Sequence, residues 1–234
     1  MKFFKTVILA VFTTMLFIGC EKDIAPKVDN SKKMTVTSIE EKKEEKNYHY
    51  SMEIPQIINA ESEDINYFNM TMKEDARSII DSMSGSGEEG EYEGGWISYQ
   101  VHPNSFDVLS ITVVTGVHYA GAAHPLHSID AYVISNKSKK LLTKNDIFTE
   151  DDMEYFNMLI NDKIRENKEV YNYMGDKVML FNDAVADIGN AAVYFEGDDI
   201  VFLFAIYDIS PYSSGNPVFK FNKSKVKKHI HIED

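Results

Sequence analysis

The sequence predicts an α+β fold: antiparallel sheets, each packed by a helix, in two strand–helix–strand lobes. Three observations carry this. Apolar residues recur at helical spacing in two stretches, Ser62 to about Met83 and Glu150 to about Glu169. Between them lie segments of strict apolar–polar alternation, the pattern of half-buried antiparallel strands. The 234 residues are 44% hydrophobic and 12% aromatic, enough for a sizeable core once the chain ends are set aside.

The N-terminus reads as a targeting segment. Lys2 and Lys5 precede an uncharged apolar run, Thr6–Ile18. A membrane-spanning helix needs about 20 residues, so this run is too short to span and suits a signal-peptide core. It ends in "LFIGC", which resembles the lipobox of bacterial lipoproteins. Residues 1–19 are therefore expected to be removed as a signal peptide. Cys20 is then expected to carry lipid, palmitate included, and to anchor the chain to a bacterial membrane, facing periplasm or exterior. Cys20 is the only cysteine, so the chain forms no internal disulfide. Losing Lys2 and Lys5 takes the net charge from −13 to −15. So acidic a chain does not suit nucleic acid and favours basic partners.

Residues 20–46 are expected to form a disordered tether. Glu21–Lys46 holds seven acids and seven lysines and no aromatic residue. Alone it cannot bury enough surface to fold. As a coil it would reach on the order of 28 Å.

The first lobe is expected over 47–135. It opens with a strand, Asn47–Ile57, followed by a helix capped by Ser62 with Ile65, Phe68, Met72, Ala76, Ile79, Ile80 and Met83 at helical spacing. A glycine-rich loop spans Ser84–Gly95. Ile97, Tyr99 and Val101 then alternate with Trp96, Ser98 and Gln100, and Leu109, Ile111 and Val113 with Ser110, Thr112 and Val114. Ser128–Ser135 is a further strand. The second lobe is expected over 136–227. Its helix starts at Glu150, with Thr149 and Asp152 forming a capping box and Met153, Phe156, Ile160 and Ile164 facing the core. Ala191–Ile209 reads as a hairpin turning at Glu196–Asp199. A loop, Ser210–Pro217, and a last short strand follow. Residues 228–234 read as a polar tail, with His229 and His231 facing solvent.

The chemistry of common hydrolases is missing. There is no Gly-x-Ser-x-Gly turn and no phosphate-binding glycine loop. The carboxylates cluster in loops, helix starts and the tether. Three histidines fall close together in "GVHYAGAAHPLHS": His118, His124 and His127. Zinc needs three or four ligands on rigid elements. Pro125 stops His124 and His127 from sharing a helical face. The stretch is therefore read first as a close-packed loop in which Gly121, Ala122 and Ala123 allow a tight turn and His124 bonds a neighbouring backbone group. A zinc-dependent glycan-modifying site on the three histidines is the less favoured alternative. No metal and no cofactor is expected.

Two motifs carry a family resemblance. "YAGAAHPLHSIDAYVISNKSKKLLTKNDIF" (Tyr119–Phe148) and "FEGDDIVFLFAIYDISPYSSGNPVFKF" (Phe195–Phe221) resemble the two hallmark segments of a family of bacterial extracellular domains, domain of unknown function 3298. "YSMEIPQI" and the Asn-containing helix after it resemble the PdaC-like domain that usually precedes it. Ala122 stands where the family has glycine, and Ser210 and Ser213 where it has alanine. The resemblance covers about Tyr48 to Val226. It implies a PdaC-like N-terminal lobe, an RsiV-like C-terminal lobe and a non-catalytic binding role, because RsiV-like domains bind lysozyme outside the cell. A basic protein such as lysozyme, or peptidoglycan, is then the expected partner. Tyr119, His124, Pro125, Tyr207, Pro211 and Tyr212 are the expected contact residues. An envelope structural protein with no small ligand is the alternative.

Overall fold

A computed structural model describes residues 33–46, 48–85, 92–166 and 169–232. The expected signal peptide, Cys20 and the first part of the expected tether lie outside the described residues.

The fold is α+β, with two sheets. The first has five strands in chain order: β1 (Thr35–Glu44), β2 (His49–Ile58), β3 (Tyr92–Val101), β4 (Val108–Tyr119) and β5 (Leu126–Ser135). Helix α1 (Glu63–Gly85) connects β2 to β3, and these two strands pair in parallel because the helix returns the chain in the same direction. The other pairs in this sheet are antiparallel. After β5 come a short helix α2 (Lys144–Ile147) and the longer α3 (Glu150–Arg165). The second sheet has the order β6 (Tyr171–Asn172), β9 (Pro217–Asn222), β8 (Asp199–Leu203), β7 (Ala192–Glu196). A last short helix is α4 (Lys223–Val226). Among the described residues no helix is long and apolar enough to cross a membrane.

Each helix faces its sheet as the spacing predicts. Ile65, Phe68, Met72, Ala76 and Met83 are buried along α1. The first four pack on Met52, Ile54, Ile97, Ile111 and Ile134 of the first sheet. Ser62 Oγ accepts the Ile65 N–H at 3.1 Å, so the expected cap is formed. β3 runs beside β2 only from Met52 backwards, which leaves the far end of β2 without a neighbour on that side. Asn69 of α1 fills the place of a strand: its amide accepts from Ile57 N at 2.7 Å and donates to Ile57 O at 2.9 Å. In the second core, Phe156 and Ile160 of α3 meet Phe195, Ile200, Phe202, Phe219 and Phe221. Thr149 and Asp152 form the expected capping box.

Four expectations need correction. Residues 35–44 are not tether but β1, paired along its length with β2. Thr35, Val36, Thr37 and Ile39 have strand propensity, and β2 supplies the partner the segment lacks alone; Met34 is buried beside it. Second, two bounds shift: the long helix ends at Arg165, with Glu166 as its C-cap, and β3 begins at Tyr92, inside the stretch expected as loop to Gly95. Third, the first sheet is covered on both faces where β4 crosses under the second sheet. Ser110 and Thr112 are both 0% exposed, although alternation alone makes them solvent-facing. Fourth, the C-terminus is not a solvated tail. Ile230 and Ile232 pack on the second core, and His231 N donates to Ile147 O at 2.8 Å. His229 donates to Asp152 Oδ1 at 2.7 Å and His231 to Oδ2 at 2.9 Å. The sequence pattern shows two polar imidazoles but not the buried carboxylate that awaits them.

Candidate functional site: an aromatic ridge and the cleft behind it

The β4–β5 hairpin and the Ser210–Pro217 loop meet at one end of the molecule. β4 and β5 stay in register to Val117 and Leu126, so residues 118–125 form the hairpin tip. The tip is not close-packed. Gly121, Ala122 and Ala123 are exposed, and Gly121 takes a left-handed φ of 74° with open space around it. Hence the alanine at 122 costs no room. Tyr119 closes β4 opposite Tyr92 and accepts the Ala122 N–H at 3.0 Å.

Tyr212 joins the two motifs. Its ring stacks on His124 with centroids 3.7 Å apart and planes at 22°. Its hydroxyl donates to Pro125 O at 2.8 Å. His127 meets the same ring edge-on at 5.8 Å, and its Nε2 lies 3.2 Å from Asn216 Oδ1. Asn216 is buried and donates to Phe204 O, which fixes the loop to the second sheet. Pro211, with φ −67°, starts the tight turn that presents Tyr212. Gly215 follows at φ +70°, a conformation that glycine adopts without steric cost. Tyr207 lies 6.0 Å from Tyr212 and is 55% exposed. Its own φ of +69° is unusual for a non-glycine residue and is held by its N–H on Ser210 O. The result is a ridge of Tyr207, Tyr212, His124 and Pro125 assembled from segments more than 80 residues apart. Beside it, burial and the nearby Asp187 carboxylate raise the pKa of Asp208.

His118, His124 and His127 do not converge. His118 Nε2 sits 3.4 Å from Ala122 O, His124 Nδ1 sits 3.1 Å from Pro125 O, and His127 turns to Asn216. Among the described residues no three His, Cys, Asp or Glu side chains are grouped to hold a metal.

Behind the ridge lies a cleft of about 490 Å³ between the two sheets. Its wall is β3, its floor β7 and β9, and its rim Tyr171–Gly175. The rim is tied to the ridge loop: Tyr173 N donates to Asn216 O and Asn172 Nδ2 to Ser214 O. At its base a buried hydrogen-bond relay runs across the sheets. His102, 2% exposed, has Nε2 at 2.8 Å from Thr112 Oγ1. Thr112 Oγ1 lies 2.7 Å from the Tyr173 hydroxyl, which donates to Gln100 Oε1 at 3.1 Å. With Tyr173 donating to Gln100, Thr112 donates to Tyr173 and His102 donates from Nε2 to Thr112. On its other side His102 Nδ1 is 3.4 Å from Glu196 Oε1, a long contact, while Glu196 Oε2 bonds Lys220 at 2.5 Å. Burial lowers the His102 pKa, so the ring is neutral at pH 7. Burial would raise that of Glu196, but Lys220 outweighs it and holds the carboxylate below its ordinary range.

Glu196, His102 and Thr112 stand in the order of a carboxylate–imidazole–hydroxyl triad. Thr112 is fully buried and its hydroxyl is taken up by Tyr173, so it is not presented to a substrate. The arrangement orients the groups at its open end, Tyr173 and Gln100. None of this relay was expected as a site. The available signal was register: the side of β3 that carries Trp96, Ser98 and Gln100 continues to His102, facing Ser110 and Thr112 of β4.

Residues 145–224 match the family described as "Protein of unknown function (DUF3298)". No curated protein matches the chain. The fold is shared with solved structures. A DUF3298 family member from Bacteroides fragilis superposes with a TM-score of 0.53 at 16% identity, over 84% of this chain and 93% of that one. A DUF3298 family protein from Pseudomonas aeruginosa PAO1 gives 0.56 at 12% identity, over 86% of this chain and 96% of that one. The matched residues run from α2 to α4 and include the ridge loop and the two strands of the cleft floor, β7 and β9.

Proposed function

We propose that this chain is a lipid-anchored protein of the bacterial cell envelope, held through Cys20, that binds a basic protein such as lysozyme without catalysis. One observation carries the reading. The two motifs that point to a binding family, separate in sequence, meet as one ridge around Tyr212, with His124 stacked on it and Tyr207 exposed beside it. Exposed tyrosine on a fixed backbone is the usual anchor of a protein interface. The net charge of −13 favours encounter with a basic partner. The lipobox-like "LFIGC" supports the anchor and the location.

The test is titration calorimetry of the full-length chain with a c-type lysozyme at two salt concentrations. The reading predicts binding that weakens as salt rises, that is lost in Tyr207→Ala with a melting temperature near that of the parent, and that is lost in Tyr212→Ala with the fold kept at a lowered melting temperature. Binding that is absent, or indifferent to both substitutions, overturns it.

A further inference from the structure

We infer that the cleft behind the ridge is a second binding site and that it takes a neutral, hydroxyl-rich ring: the end of a saccharide one or two units long. This goes beyond the proposed protein-binding role, which uses the ridge alone.

The cleft has the size of a small-molecule site, about 490 Å³, and is open on one side. Its polar groups are of two complementary kinds. Glu196 is ionised and accepts, and Lys220 beside it donates; Glu169 and Lys163 add one more of each sign to the lining, so it carries no net charge. Gln100 has its carbonyl taken by Tyr173, which turns its amide NH₂ outward as a donor. A hydroxyl both donates and accepts, so a carboxylate and an ammonium side by side suit adjacent sugar hydroxyls. They do not select a charged ligand, because either sign meets its own like. The apolar part is flat. Tyr171 on the rim is 45% exposed, while Tyr194 beneath is 2% exposed and packed on the His102 ring at 4.5 Å, which makes the floor firm. The exposed Tyr171 ring suits the C–H face of a pyranose. Met174, 81% exposed, adds an apolar side chain to the same rim.

The relay gives this site its rigidity. A buried polar chain from His102 through Thr112 to Tyr173 costs desolvation that an apolar core would avoid. What it achieves is a fixed Tyr173 hydroxyl and, through it, a fixed Gln100. Groups held in place before a ligand arrives lose less freedom on binding.

The experiment is saturation-transfer NMR and calorimetry on the full-length chain, with chitobiose, cellobiose and the dipeptide Ala-Ala as probes. The expected result is that at least one disaccharide binds, with Kd of about 1 mM or tighter, and the dipeptide does not. Gln100→Ala, on an exposed side chain, should weaken binding by about tenfold with an unchanged melting temperature. Tyr173→Phe should weaken it through loss of the hydroxyl that holds Gln100, and Tyr212→Ala should leave it intact. Absence of disaccharide binding up to about 20 mM overturns the inference. So does preference for the dipeptide, or binding that is lost in Tyr212→Ala but kept in Gln100→Ala. Failure of lysozyme capture with saccharide binding intact would overturn the ridge reading alone, and the converse would overturn this one alone.

Discussion

His124 and His127 sit against the Tyr212 ring at the surface, while His229 and His231 sit on the Asp152 carboxylate beneath it. Both pairs bridge segments distant in sequence. Their partners make them different. A tyrosine ring at the surface gives the first pair shape and leaves it half open to solvent. A carboxylate 6% exposed gives the second pair charge, and the tie closes the chain terminus onto the start of α3. His229 also stacks on Tyr155 at 3.7 Å. One pair is built to meet something; the other is built to hold the fold.

The sharpest way to break that distinction is to remove the carboxylate. Asp152 serves the capping box and both histidines at once, so Asp152→Ala removes the cap's acceptor and leaves the largely buried His229, as well as His231, without its partner. The expected loss is about 3 kcal/mol, read by urea unfolding. The effect should depend on pH with a definite sign. Burial pushes the Asp152 pKa up, but the Thr149 hydroxyl and the two imidazoles prevail and hold it well below 3.8. A lowered carboxylate stabilises fully above its unfolded value and loses that contribution as pH falls through the folded one. The gap between parent and variant should therefore be constant near pH 6 and narrow below about pH 4. A gap that persists unchanged in acid would assign Asp152 a packing role only.

His102 tests the third kind of histidine, one that neither meets solvent nor holds a charge. His102→Ala should cost about 2 kcal/mol, because it leaves Thr112 without its buried partner and opens a cavity beside Tyr194. Burial lowers its pKa from 6.5, so the folded state disfavours the charged ring. Stability should fall as pH drops below 6.5 and through the lower folded value. His102→Gln should flatten that slope between pH 7 and 5 while Asp152→Ala keeps it.

Lys144 is a fixed cation of the second lobe. Its ammonium donates to the carbonyls of Ile188, Gly189 and Ala191, and burial lowers its pKa. Lys144→Met should cost about 1.5 kcal/mol and raise hydrogen exchange at 184–191 without altering the ridge.

How much of this was readable beforehand follows from what each element depends on. α1 and α3 show themselves because their buried faces repeat in the sequence itself. The capping box of Thr149 and Asp152 shows itself for the same reason: it is local. β1 does not, because its charged residues read as solvated until β2 is placed beside them. Nor do Ser110 and Thr112, whose burial depends on a second sheet that arrives some 80 residues later. The ridge was legible as two motifs, though not as a stack of Tyr212 on His124. The cleft was not legible at all, since Gln100, His102, Tyr173 and Glu196 share no pattern in the chain.

The mildest change probes how the ridge is held. Tyr212→Phe keeps the ring and its stack on His124 but removes the hydroxyl that donates to Pro125 O. The expected cost is about 1 kcal/mol, the net worth of one such bond. If the stack alone positions the ridge, binding of a basic partner should be unchanged. If the hydroxyl sets the position of the hairpin tip, binding should weaken more than stability does, and amides at 119–125 should shift in NMR spectra while those around Asp152 stay still. The two histidine pairs then separate cleanly: a bond lost at the ridge would be felt in recognition, and one lost at Asp152 in folding.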